Sequence, residues 1–191
     1  MEMHNPDEAR LTEFWKSFQQ LFLNLYGSRL ACIAAIDGHA PAAGCMLALS
    51  CDYRIMKENP KFTIGLNESK LGIVAPPWLG QQLMDTVGRR RTEIALSLGL
   101  LYNPQQALEI QLVDEVVNDV QARATEVAKE WVSIPASARV LSKLLSRQDR
   151  LDTLRSNLQG DLDSFLSIIL NESTQKNISA YLQLLAAKKK K

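Results

Sequence analysis

The chain has 191 residues, of which 46% are hydrophobic and 23% charged, a composition typical of one compact domain with a sizeable core. Its 22 basic and 21 acidic residues nearly cancel, so no global charge favours nucleic acid or a membrane surface as a partner. No stretch approaches the roughly 18 apolar residues of a membrane-spanning helix, and Met1 to Glu8 resembles neither a secretory signal nor a transit peptide. We therefore expect no nucleic-acid partner and no membrane insertion, and we interpret the basic run Lys188 to Lys191 as a solvated tail.

The cysteines argue against a disulfide framework and against a metal site. Cys32, Cys45 and Cys51 form an odd, unpatterned set among apolar or small residues. Such surroundings are typical of reduced buried thiols, and no spacing of a zinc site is present. We predict that the protein binds no metal.

In the N-terminal half, the apolar residues between Asp7 and Tyr26 recur at helical spacing, and Gly27 supplies a stop. The aromatic residues of this predicted helix indicate core packing rather than a cofactor site. A short apolar run then predicts a strand buried on both faces at Leu30 to Ile36, followed by a helix at Cys45 to Leu49. Two further strands are predicted at Asp52 to Met56 and at Lys61 to Ile64.

Beyond Pro77 the chain is predominantly helical, with one further strand predicted at Leu112 to Val117. The predicted helices are Trp78 to Val87, Arg89 to Leu98, a short one at Asn103 with Pro104 in its first turn, Val120 to Trp131 before Pro135, Ser137 to Ser146, Leu151 to Leu170, and Ser173 to Ala187. Strands that alternate with helices and then give way to helices predict an α/β core with an α-helical C-terminal extension.

Two segments are better suited to a site than to packing, and the first runs from Asp37 to Cys45. Here a strand ends and passes through small residues into the start of a helix. Small residues let a ligand approach the backbone, and the first N–H groups of a helix can donate to a negative oxygen. The spacing alone is equally compatible with a tight strand-to-helix turn.

The second segment, Ile64 to Ile73, places Glu68 among apolar residues such as Leu66 and Leu71. Apolar surroundings raise the pKa of a carboxyl group and help it to exchange protons near neutral pH. Composition alone favours the alternative of a glutamate in a surface loop. His4 and His39 are the only histidines, and neither is part of a recognisable nucleophile motif, so a hydrolase triad is not expected.

These two segments carry a family resemblance. The runs IAAIDGHAPAAGCMLALSCDYRIM and NPKFTIGLNESKLGIVAPPWL resemble the region of the crotonase (enoyl-CoA hydratase/isomerase) superfamily that carries an oxyanion-hole amide and the catalytic carboxylates. The similarity is greatest to the mitochondrial Δ3,Δ2-enoyl-CoA isomerases of that superfamily. It implies a spiral ββα core without its first strands over residues 1–118 and a helical region over residues 119–191, so that the chain begins inside the family's pattern.

The resemblance also implies roles for residues. Glu68 would take a proton from C2 of a 3-enoyl-CoA and return one to C4, while the backbone N–H of Ala43, next to Gly44, would hold the enolate oxygen. Alanine replaces the first glycine of the family's usual Gly-Gly pair, so the backbone there must tolerate a side chain. The residues at the family's substrate-binding positions are Asn67, Met46, Pro76, Pro77 and Trp78.

The chemistry distinguishes reactions within the superfamily. A hydratase needs a second carboxylate to activate water, and Met46 stands at that position, which favours isomerisation. By resemblance we expect an acyl-CoA substrate in fatty-acid β-oxidation, no metal or redox cofactor, a homotrimer and a location in the mitochondrial matrix. The alternatives are a noncatalytic chain that only associates with longer subunits and, less favoured, a hydratase.

Overall fold

The computed structural model describes residues 2–188, so the basic run from Lys188 to Lys191 lies outside the described residues except for the backbone of Lys188. The helices of the described part are α1 Glu8–Tyr26, α2 Ala43–Ser50, α3 Pro77–Val87, α4 Arg89–Leu98, α5 Pro104–Glu109, α6 Val120–Val132, α7 Ala136–Arg155, α8 Leu158–Ile169 and α9 Glu172–Lys188. The strands are β1 Ile33–Ile36, β2 Ala40–Pro41, β3 Tyr53–Lys57, β4 Ile64–Gly65 and β5 Glu115–Val117, and Glu68–Leu71 forms a 3-10 helix.

Parallel strands with helical crossovers form the centre of the fold. Strands β1, β3 and β5 make one sheet in that order, and β2 pairs with β4 in a second, two-stranded sheet. In β3, Ile55 packs against α6 while the next residue, Met56, faces the main core, as the alternation of a strand requires. The α/β class and the helical C-terminal part are thereby confirmed.

One hydrophobic core joins the helical C-terminal part to the α/β part. Leu151, Leu162 and Ile169 belong to the same buried cluster as Leu11 and Met56. Burial of this apolar surface is the dominant favourable contribution to folding. None of the helices in residues 2–188 is long and apolar enough to cross a membrane.

Helix boundaries set by local signals match their predictions. Asp7 caps α1 by accepting a hydrogen bond from the Arg10 amide at 2.9 Å, and α4 spans the predicted residues. At α5, the side chain of Asn103 accepts from the Gln106 amide while the Gln106 side chain accepts from the Asn103 amide.

Other predictions need correction. The strand predicted from Leu30 begins only at Ile33 and is half-buried over most of its length, and the strand predicted over Lys61 to Ile64 is reduced to β4. The break predicted between Ser146 and Leu151 is absent, because Arg147, Gln148 and Arg150 are good helix formers and continue α7, which ends at Arg155, inside the helix predicted over Leu151 to Leu170. Two short elements, β2 and the 3-10 helix, were not predicted.

Candidate active site

An apolar cavity of about 340 Å³ lies where the two candidate segments meet. Glu68, Ala42 and Ala43 line it on one side. The rest of the wall is almost entirely apolar. It comes from the N-terminal segment, α1, the 3-10 helix with the loop that follows it, the start of α3, and α8, through Met3, Phe14, Trp15, Phe18, Leu71, Ile73, Val74, Ala75, Pro76, Pro77, Leu79, Asp161, Ser164, Phe165, Ile168 and Ile169. A mostly apolar cavity with few polar groups is typical of a small-molecule site.

Glu68 is buried at the start of the 3-10 helix, with 9% of its surface exposed. Its Oε2 atom has no hydrogen-bond partner among the described residues, although the atom is itself buried. Desolvation raises the pKa of this carboxyl group, and a hydrogen bond from its own backbone N–H offsets only part of that rise. Glu68 is therefore not a surface-loop glutamate, and its raised pKa makes its carboxylate a better proton acceptor than that of an exposed glutamate.

The raised pKa predicts that Glu68 lowers stability at neutral pH. As the pH rises from the ordinary glutamate pKa towards the raised folded-state pKa, the unfolded chain loses this proton first, so folding stability falls. Glu68→Gln removes the buried charge, and we expect this variant to melt at a higher temperature than the wild type at pH 7. The difference in melting temperature should shrink towards pH 4, and a difference that is the same at both pH values would contradict the assignment.

The strand-to-helix turn places Ala43 in the wall of the cavity. Ala42 has φ 49° and ψ −113°, a backbone conformation that residues other than glycine rarely adopt. Its own N–H donates to Gly65 O at 2.8 Å. Helix α2 starts at the next residue, and no hydrogen bond among residues 2–188 uses the Ala43 N–H. This amide is therefore available to a negative oxygen, and the backbone strain falls on Ala42 rather than on Ala43.

Gly44 has a packing role that explains why this position is a glycine. A Cβ built on it would lie 3.3 Å from the Cβ of Ala40 in β2, which is tighter than ordinary van der Waals contact. The residue does not itself line the cavity. Gly44 thus lets the start of α2 lie close against β2.

Only some of the predicted substrate-binding residues line the cavity. Pro76 and Pro77 line the cavity, whereas Asn67, Met46 and Trp78 do not. Met46 is a fully buried residue of α2, and the Asn67 Nδ2 atom donates to the Tyr181 hydroxyl at 3.3 Å. In this structure the side chains of these three residues are engaged in packing or with another partner, and their assignment as substrate-binding residues stays a prediction.

Trp78 instead belongs to a polar cluster beside the cavity. Its Nε1 atom donates to Asp161 Oδ1 at 3.1 Å, while Trp15 Nε1 and Gln19 Nε2 donate to Asp161 Oδ2 at 2.8 and 2.7 Å. The buried Asp161 carboxylate is thus satisfied by three neutral donors and connects α1, α3 and α8.

Sequence reasoning missed the part of the cavity wall that comes from α1 and α8. The aromatic residues of α1 were interpreted as core packing, yet Phe14, Trp15 and Phe18 also face the cavity, and Trp15 stacks on Phe165 with ring centroids 3.6 Å apart. Helical periodicity signals that a face is buried, but it does not distinguish a packed core from a cavity wall. Asp161, Ser164 and Phe165 carry no local motif that would have revealed them.

The described residues offer no obvious metal site. No group of three or more His, Cys, Asp or Glu side chains within residues 2–188 is arranged to hold an ion. All three cysteines are free, and Cys32 is half-buried rather than buried. Burial raises the pKa of the Cys51 thiol to about 11, so this thiol is protonated at neutral pH.

This cavity lies in a fold that comparison with known proteins identifies. The enoyl-CoA hydratase/isomerase family model matches residues 1–190, and the chain belongs to that family. The mitochondrial enoyl-CoA delta isomerase 1 of Rattus norvegicus is 47% identical over 191 residues, which cover 99% of this chain and 66% of the rat protein. A 2,3-dehydroadipyl-CoA hydratase of Escherichia coli is 31% identical over 86% of this chain and 64% of its own length.

The solved structures agree with the sequence relatives. The crystal structure of human mitochondrial delta3-delta2-enoyl-CoA isomerase matches with a TM-score of 0.96 and 43% sequence identity, covering 98% of this chain and 74% of the human one. The crotonase-type fold is thereby confirmed. The chain spans about two thirds of the length of the rat, mouse and human isomerases, at 66%, 66% and 63%.

Proposed function

We propose that this chain catalyses the isomerisation of 3-enoyl-CoA to trans-2-enoyl-CoA, as part of fatty-acid β-oxidation. The observation that carries the proposal is that two residues line the same apolar cavity: Glu68, which has a buried and unpartnered carboxylate oxygen, and Ala43, whose N–H has no hydrogen-bond partner among residues 2–188. The similarity to proteins named enoyl-CoA delta isomerase 1 supports the same reaction.

In the proposed reaction, Glu68 is both base and acid. Its carboxylate takes a proton from C2, and the C–H electron pair moves towards the thioester carbonyl to give a dienolate. The carboxylic acid then returns a proton to C4 as the electrons flow back, so that the double bond lies between C2 and C3. Protons and electrons balance without an oxidant or reductant, and the reaction therefore requires no redox cofactor.

The start of α2 supplies the second element of the mechanism. The Ala43 N–H would donate to the thioester oxygen as negative charge develops on it, and the positive end of the α2 dipole adds to this stabilisation. Loss of one such donor typically costs about 3–4 kcal/mol of transition-state stabilisation. The strained backbone of Ala42 holds the donor in place before the substrate arrives.

The cavity favours isomerisation over hydration. Among the described residues, Asp161 is the only other carboxylate in its wall, and three N–H donors already occupy its two oxygens. Met46, at the position where hydratases of the family carry their second carboxylate, is apolar and fully buried. Neither side chain is suited to activate water.

We propose a location in the mitochondrial matrix, since the rat, mouse and human relatives are named as mitochondrial proteins. The family resemblance alone is the basis for proposing a homotrimer. Leu141 and Leu145, on the outer face of α7, are exposed and offer apolar surface for such contacts. Acyl-CoA thioesters are the proposed ligands, and no metal takes part in the proposed reaction.

The direct test assays the purified 191-residue chain with a 3-enoyl-CoA and separately with a 2-enoyl-CoA. We expect the first to be converted to its conjugated isomer and the second to take up no water. Hydration as the faster reaction would favour the hydratase alternative. Soluble protein without either activity would favour a noncatalytic chain, and sedimentation of the same sample would give its oligomeric state.

A further inference from the structure

The 3-10 helix that carries Glu68 lies between two other helices. On one side, Ser69 Oγ donates to the Leu96 carbonyl oxygen of α4, and a Cβ at Gly99, just after α4, would lie 2.9 Å from the side chain of Lys70. On the other side lies α9, whose Ile178 is fully buried. Both helices therefore contact the short element that carries Glu68.

Helix α9 contacts the two ends of this short element. At the start, the buried Asn67 donates from Nδ2 to the Tyr181 hydroxyl. At the end, Gly72 has φ 74°, and a Cβ there would clash with the side chain of Asn177. Only a glycine allows α9 this close, so both residues that flank Glu68–Leu71 are fixed by the same face of α9.

We propose that Tyr181 is a positioning residue for the proposed isomerase reaction, and that it acts on Glu68 through Asn67. This inference rests on the proposed function, in which Glu68 must reach both C2 and C4. Tyr181 does not line the cavity, so it acts through the backbone of the 3-10 helix and not by touching substrate. A small displacement of a reacting group lowers the rate of the chemical step more than it lowers substrate binding.

The substitution Tyr181→Phe tests the link by removing only the hydroxyl that Asn67 contacts. The Ser69 contact to α4 remains, so the 3-10 helix should persist. Asn67 and Glu68, at its start, should be held less firmly. We expect kcat to fall about tenfold with KM within about twofold of the wild-type value. Asn67→Ala should cause a similar loss, and the double variant should lose little more than either single one.

A matched control lies two residues earlier on α9. Ser179 is bonded through Oγ to a ring nitrogen of His4 at 2.8 Å and has no hydrogen bond to the 3-10 helix among the described residues. Ser179→Ala should therefore leave kcat unchanged, even if it loosens α9 slightly. Equal losses of kcat in Ser179→Ala and Tyr181→Phe would overturn the proposal, because they would reflect a general loosening of α9.

Amide hydrogen exchange provides a readout that does not require activity. The amides of Lys70, Gly72 and Ile73 donate to Asn67, Ser69 and Glu68 carbonyl oxygens, and we expect faster exchange at these sites in Tyr181→Phe but not in Ser179→Ala. A wild-type chain without turnover would refute the proposed function. The amide exchange rates would still show whether Tyr181 stabilises the 3-10 helix through Asn67. Unchanged exchange, unchanged kcat, or a rise in KM alone would overturn the role of Tyr181.

Discussion

Replacement of Glu68 by Gln is expected to lower kcat for 3-enoyl-CoA isomerisation by about 10²–10⁴-fold, the contribution typical of a positioned general base. Glutamine has nearly the same shape but cannot accept the C2 proton. The apolar wall and the Ala43 amide remain, so the affinity for a CoA ester should change little. Steady-state kinetics and calorimetric titration with a nonreactive acyl-CoA would separate the two quantities.

The matched control for this variant is Glu58→Gln, which makes the same chemical change at an exposed glutamate after β3. Its turnover should equal that of the wild type. Near-normal turnover in Glu68→Gln would refute the assignment, and Asp161→Asn would then test the other carboxylate in the cavity wall. The higher melting temperature expected for Glu68→Gln at neutral pH would show that lost turnover does not come from lost structure.

Local signals account for the parts of the fold that the sequence predicted well. The bounds of α4 and the capping box at Asn103 depend on residues within one or two helical turns, so a single sequence contains the relevant information. Short strands are harder, because β2 and β4 are defined by pairing with each other across 24 residues, as in Ala40 with Ile64. Periodicity is uninformative over two residues.

In the candidate site, too, some features are specified by nearby residues and others by distant parts of the chain. Family resemblance pointed to Glu68 and Ala43, and both line the cavity, but composition alone favoured an exposed glutamate. Its burial depends on distant partners, including α8 and α9, which follow it by about a hundred residues. The contact of Trp15 with Asp161 spans 146 residues, and no pattern within either helix specifies it.

A buried cluster of charged side chains is centred on Asp52. Its side chain, 2% exposed, lies 2.9 Å from Lys143 Nζ and 3.0 Å from Arg147 of α7, and it accepts from the Cys32 amide at 2.8 Å. Arg147 also donates to the carbonyl oxygens of Tyr26, Ser50 and Cys51. This cluster fixes α7 against the ends of α1 and α2, and therefore helps to hold the helical part against the α/β part.

Asp52→Ala should destabilise the protein by about 3–5 kcal/mol, because it leaves two buried cations without their counter-ion and the Cys32 amide without its acceptor. The exposed pair of Asp85 and Arg150, 3.0 Å apart, also joins α7 to the rest of the fold, so Asp85→Ala is the matched control and should cost only about 0.2–1 kcal/mol. Urea unfolding at pH 7 would measure both differences. Similar losses in the two variants would mean that burial adds little to the Asp52 cluster, and that α7 is held mainly by the apolar contacts of Leu151 and Leu154.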